Sequence, residues 1–242
     1  MTDPVAPTTP FERSRIPLAG PPPGPPPTST STPRRSLVDR LLARWSGLPP
    51  WVVVTQLFFG LGWLRATGEK VVSIDWWTGD AIRAFVAEYQ GATLGWFQPI
   101  LDAALGLGPA VLALVVLVAE LAIGLALVAN RRTRWALAAA IALNLVFVAT
   151  GAVNPSAFYL IGQGALALWL VGRRPPTPGL SRALRLTTAV AVALAAVSIP
   201  FVTTLHPAAV IDDPAIMILF LGGLTALAGE LTHRACFGRS LP

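Results

Sequence analysis

Four side chains that can hydrogen-bond or exchange a proton stand alone in long apolar stretches: Gln56, Glu120, Asn144 and Gln163. Glu120 is the most unusual. It lies within ALVVLVAELAIGLAL (113–127), and no other acid or base occurs between Asp102 and Arg131. A carboxylate in an apolar medium costs several kcal/mol unless it is paired, protonated or solvated. Counting about 1.5 Å per residue from the expected membrane surfaces puts all four groups near the midplane, within about one helical turn of each other. A carboxylic acid at that depth, donating to Asn144, Gln163 or Gln56, satisfies the burial requirement and makes Glu120 the candidate proton carrier. Asn144, Gln163 and Gln56 are then the candidates for holding a carbonyl ligand. The competing expectation is that the cluster only fastens helices, at about 0.6–2 kcal/mol per contact. An amide would fasten helices at lower cost than an ionisable acid, so the functional expectation rests on Glu120.

Other redox groups are scarce. The single cysteine, Cys236, allows no disulfide within one chain, and His206 and His233 fall on opposite sides of the expected membrane. No haem or metal is therefore expected, and electron chemistry has to use a carrier such as quinone or centres on a partner.

The elements that must position these residues are membrane helices. Of the 242 residues, 54% are hydrophobic and 12% charged, with a mean hydropathy of +0.63. A soluble domain carries about twice that charge. Residues 45–64, 135–172 and 186–211 contain no Asp, Glu, Lys or Arg. At roughly 20 residues per crossing, the pattern predicts an all-α polytopic membrane bundle of six spans: 48–66, 109–129, 134–151, 155–172, 185–205 and 214–231. Gly151, Asn154 and Pro155 mark the turn between the third and fourth spans. Arginine crowds the N-terminal tail, NRRTR (130–134), the connection 173–185 and the C-terminus; the segment 67–108 sets Lys70 and Arg83 against five acids. This alternation predicts both termini in the cytoplasm of a cell-membrane protein, and it accounts for the net charge of +6 without a nucleic-acid partner.

Two segments are expected outside the bundle. The tail, taken to residue 44, is rich in Pro, Ser and Thr over 1–35 and reads as disordered. In the external segment 67–108, Ile82, Phe85, Val86 and Tyr89 recur at helical spacing behind Trp76 and Trp77, the pattern of an amphipathic helix at the outer interface. The domain order is thus a tail (1–44), a four-helix membrane domain (45–172) and a two-helix segment with a short tail (173–242).

The order of these features resembles the DoxX/DoxD family over residues 51–172. QLFFGLGWLRATGEKV (56–71) is similar to its first helix, and WWTGDAIRAFV (76–86) to its external segment. VAELAIGLALVANRRTRWAL (118–137) resembles the Glu-x-x-x-Gly helix with its basic turn, and LNLVFVATGAVNPSAFYL (143–160) the Asn-bearing helix and Asn-Pro turn. Carried over position by position, the resemblance implies functional roles for Lys70, Glu120, Asn144 and Asn154. It implies a bacterial inner-membrane subunit of a quinone-linked oxidoreductase, as in thiosulfate:quinone oxidoreductase, where DoxD works with a small partner subunit. In that scheme Glu120 relays a proton, Asn144 and Gln163 bind the quinone carbonyls, and Arg65 and Lys70 stand at the outer mouth. The alternatives are a non-catalytic scaffold of a redox or oxidative-stress complex and a proton-coupled small-molecule transporter. The last two spans depart from the four-helix pattern.

Overall fold

Proline starts four of the long helices, at Pro50, Pro109, Pro178 and Pro214, where its missing N–H has no intrahelical partner to lose and its fixed φ suits the first turn. The computed structural model describes residues 36–203 and 212–237, and every regular element among them is helical. In chain order they are α1 (Leu37–Trp45), α2 (Pro50–Val71), α3 (Ile74–Thr78), α4 (Asp80–Tyr89), α5 (Gln98–Gly106), α6 (Pro109–Val128), α7 (Thr133–Thr150), α8 (Ser156–Gly172), α9 (Pro178–Ser198) and α10 (Pro214–Phe237), with a 3₁₀ turn at Ile199–Phe201.

Four stretches, α6, α7, α9 with its 3₁₀ turn, and α10, are long and apolar enough to cross a membrane. They coincide with four of the expected spans. The other two, 48–66 and 155–172, are helical as α2 and α8. However, α8 is a shorter apolar helix of 17 residues, and α2 carries Arg65, Glu69 and Lys70 in its last turns. On α6, Leu117, Glu120, Ile123 and Leu127 are buried, while Val115, Val118, Leu121 and Leu125 are exposed. A helix apolar on both its packed and its exposed face belongs in lipid.

Several boundaries differ from those expected, among them the end of the last span, since α10 runs to Phe237 rather than 231. Residues 37–44, assigned to the tail, lie in α1, whereas 1–35 fall outside the described residues. Helix α2 continues to Val71, five residues past the expected end of the first span. Helix α9 starts at Pro178, capped by Thr177, whose hydroxyl accepts from the Leu180 N–H at 3.2 Å, so Arg182 and Arg185 are helical.

Helices α2 and α6, α7 and α8, and α9 and α10 pack antiparallel. Helices α2 and α6 approach closely through glycine. A Cβ at Gly60 would stand 2.8 Å from a Val128 methyl, and one at Gly124 would stand 2.8 Å from Leu64 and 3.1 Å from the Gly60 carbonyl. Small residues let helices in lipid gain van der Waals contact and hold register. One buried cluster, with Val52, Phe59, Trp63, Ile123, Leu137 and Leu166, unites α2, α6, α7 and α8. A second joins Leu94, Phe97 and Leu101 to the end of α7 and the start of α10. The segment 67–108 is tied to the end of α7 by hydrogen bonds: Leu94 N–H donates to the Ala149 carbonyl at 2.9 Å and the Thr93 hydroxyl to the Thr150 carbonyl at 2.9 Å. As the spacing predicts, α4 is amphipathic; Ile82 is buried and Phe85 stands edge-on to Phe147 of α7, 6.1 Å between centroids.

Candidate functional site

The inward face of α2 runs Val52, Gln56, Phe59, Trp63 and Thr67. Lys70, seven residues after Trp63, continues that face. Its ammonium donates to Glu120 Oε1 at 2.9 Å and lies 2.9 Å from Oε2. The two oxygens are equally near, so the ammonium straddles the carboxylate. The Glu120 side chain is 1% exposed and that of Lys70 is 20% exposed. The pair therefore sits at the edge of the packed region, with the carboxylate inside and the ammonium nearer the surface. The Trp76 ring covers the ammonium, 4.9 Å from its centroid, and Trp76 Nε1 donates to the Ala113 carbonyl on α6 at 3.0 Å. Helices α3 and α4 are held against the start of α6 at Gly79 (φ +83°), where a Cβ would strike Ala110 and Pro109. At this corner a hydrogen bond from the Thr78 hydroxyl, followed by Arg83, holds the Asp80 carboxyl below the ordinary carboxylate range.

The structure separates the four groups expected at one depth. Gln56 Nε2 donates to the Leu127 carbonyl at 2.8 Å and to Asn130 Oδ1 at 3.1 Å. Leu127 lies seven residues beyond Glu120, about 10 Å along the helix. The cause is the stagger of α2 against α6, which residue counting from separate span edges does not contain. Asn144 Nδ2 donates to the Ala140 carbonyl at 2.9 Å and to Gln163 Oε1 at 3.2 Å. Glu120 is thus paired not with Asn144, Gln163 or Gln56 but with Lys70, because α2 extends far enough to bring an ammonium back into the bundle.

The remaining sequence-derived site residues are dispersed. Arg65 is exposed and pairs with Glu69 at 2.8 Å. Asn154 is exposed in the α7–α8 turn. Trp63 is a residue the sequence argument missed: it is 4% exposed, stands edge-on to Tyr159 at 5.9 Å, and its Nε1 has no hydrogen-bond partner among the described residues. Gln163, fully buried, likewise has an unpartnered Nε2. The α2–α8 packing that brings these residues close depends on glycine, since a Cβ at Gly62 would strike the Tyr159 hydroxyl and one at Gly162 the Phe59 ring. Period seven was the available signal, because Gln56, Trp63 and Lys70 share one face of α2.

Two open clefts, of about 340 and 450 Å³, lie elsewhere, lined by residues such as Arg83, Gln98 and Asp102 and by Thr93, Phe201 and Asp213. Neither lining includes Glu120, and the chemistry of a buried ion pair outweighs the size of a surface cleft. Comparison of the chain with protein-family models, with curated proteins and with solved structures finds no match.

Proposed function

We propose that this protein is the membrane subunit of a quinone-linked oxidoreductase of the DoxX/DoxD type, crossing the cell membrane six times through α2 and α6–α10 with both termini inside. The observation that carries this reading is the buried Glu120 carboxylate, both oxygens of which lie 2.9 Å from the Lys70 ammonium. Such a group can hold a proton inside an apolar bundle, and the Lys70 ammonium stabilises it after the proton leaves. A quinone supplies the electron-accepting carbonyls. Both donors of the Asn144 amide are engaged, so the N–H groups suited to a carbonyl are Trp63 Nε1 and Gln163 Nε2. Arg65 and Lys70, the two cations near the end of α2, are both in ion pairs. An anionic donor such as thiosulfate is therefore assigned to a partner subunit.

The test is quinone reduction by the purified membrane complex. Glu120→Gln should leave the protein inserted and lower turnover by about 10²-fold, the scale of losing a general acid–base group. Trp63→Phe and Gln163→Leu should raise the KM for quinone. Wild-type turnover of Glu120→Gln with several quinones would remove Glu120 from the chemistry. The second reading is a scaffold, favoured by the Asn144–Gln163 and Gln56–Leu127 hydrogen bonds, which join neighbouring helices. On that reading Glu120→Gln leaves complex assembly and activity intact.

A further inference from the structure

The antiparallel course of the helices collects the start of α2, the α6–α7 turn, the end of α8 and the end of α10 at one end of the bundle. That end is rich in arginine, and α1 is attached to it by hydrogen bonds. The Arg44 guanidinium donates to the Ala129 carbonyl at 3.3 Å, and Asn130 Nδ2 donates to the Arg44 carbonyl at 2.7 Å. The same Asn130 accepts from Gln56 at 3.1 Å and from Thr133 at 3.0 Å. One turn residue thus ties α1, α2 and α7 together.

Three features meet here. Val38 and Leu42, four residues apart on α1, are 62% and 63% exposed, leaving an apolar face that no other described residue covers. Arg131 and Arg132 in the adjoining turn and Arg134 at the start of α7 are exposed, and among the described residues none of them forms an ion pair. Tryptophans mark the same end. Trp135 is 74% exposed, Trp51 stands edge-on to Trp169 at 5.8 Å, and Arg173 lies over Trp169 at 4.7 Å. Amphipathic tryptophan rings settle at the level of lipid headgroups, and an in-plane helix buries its apolar face just below them.

We infer that this end of the protein is a docking surface for anionic phospholipid, with headgroup phosphates on the α6–α7 arginines and acyl chains against Val38 and Leu42. Charge complementarity selects the occupant. A zwitterionic headgroup offers no net charge to three exposed guanidinium groups, and a soluble anion makes no use of the apolar face. Each arginine close to an anionic surface contributes about 1 kcal/mol, or about fivefold in affinity.

The experiment titrates the full chain in mild detergent with phosphatidylglycerol or phosphatidylcholine and counts bound lipid by native mass spectrometry. Phosphatidylglycerol should bind more tightly, and its advantage should shrink as salt rises. The Arg131→Gln/Arg132→Gln/Arg134→Gln variant should lose that advantage, by about 10²-fold if the three contributions add. The corresponding triple lysine variant should keep most of it, and Arg83→Gln, at the other end of the bundle, should keep all of it. Val38→Ser/Leu42→Ser should weaken both lipids. Equal binding of the two lipids by the unaltered chain, an undiminished preference in the triple glutamine variant, or equally effective displacement by inorganic phosphate would each overturn the inference.

Discussion

At the scale of single residues, the molecule is organised around one charge pair that lies largely out of water. Removing one partner of such a pair strands the other, at a cost of about 3–5 kcal/mol in fully buried cases, whereas replacing both by apolar groups is often neutral. Lys70 is 20% exposed, so the cost falls at or below the lower end of that range. Lys70→Met should therefore destabilise the protein by about 2–3 kcal/mol, and Lys70→Met/Glu120→Leu should recover most of the loss. Thermal unfolding in detergent of the two single variants and the double variant reads the coupling directly. Additive effects of the two substitutions would mean that the contact at 2.9 Å contributes nothing to stability. Glu120 stood out from the sequence because an isolated acid in an apolar run is costly. That Lys70 is its partner was not legible, because Lys70 looked like an interfacial residue beyond the end of a span. Only the longer α2 carries it inside.

At the scale of helices, the site depends on register between α2 and α6, and that register depends on Gly60 and Gly124. A Leu at position 124 would meet Leu64 and the Gly60 carbonyl, forcing the helices apart. Gly124→Leu is expected to cost about 1–3 kcal/mol, the range for overpacking, and to weaken the Lys70–Glu120 coupling measured by the same mutant cycle. Gly164→Ala on α8, where an added Cβ meets nothing within 4 Å, should be neutral or stabilising by up to about 1 kcal/mol. Equal losses from both substitutions would remove the special role of the α2–α6 contact. Periodicity predicted the amphipathic α4 because its inward face repeats at i, i+3 and i+4. It could not predict stagger, since helices that are apolar all round carry no stripe that fixes rotation or height.

At the scale of the whole molecule, the distribution of charge sets the expected orientation. Arg131, Arg132 and Arg134 and the arginines at the end of α8 stand at one end, while Glu69, Asp75, Asp80 and Asp102 belong to the end of α2 and the α3–α5 segment. Reporter fusions after residues 132, 178 and 240 should read cytoplasmic, and those after 90 and 210 external. A cytoplasmic signal at residue 90 would reverse the orientation. A shared side for residues 90 and 132 would show that α6 does not cross. The same orientation places the arginine-rich end against the inner leaflet, where anionic lipid is available to it.

The sequence alone determined the solvent for which this protein is built, the helical class and the two residue types that matter most. Each follows from a local rule: apolar length sets crossings, helical spacing sets faces, and a lone acid among apolar neighbours demands a partner. The positions of Glu120 and Lys70 were also legible as residues of interest. Tertiary structure alone decided who meets whom. Gln56 went to the Leu127 carbonyl, Asn144 to Gln163, and Glu120 to Lys70 rather than to any of the three amides. Among the described residues, the same packing left Trp63 Nε1 and Gln163 Nε2 without partners. The reason is physical. Polar pairing inside a bundle is set by relative height and rotation of helices, which arise from close contacts at glycines and from clashes between large side chains. Those contacts join residues far apart in the chain, and no window of sequence contains them.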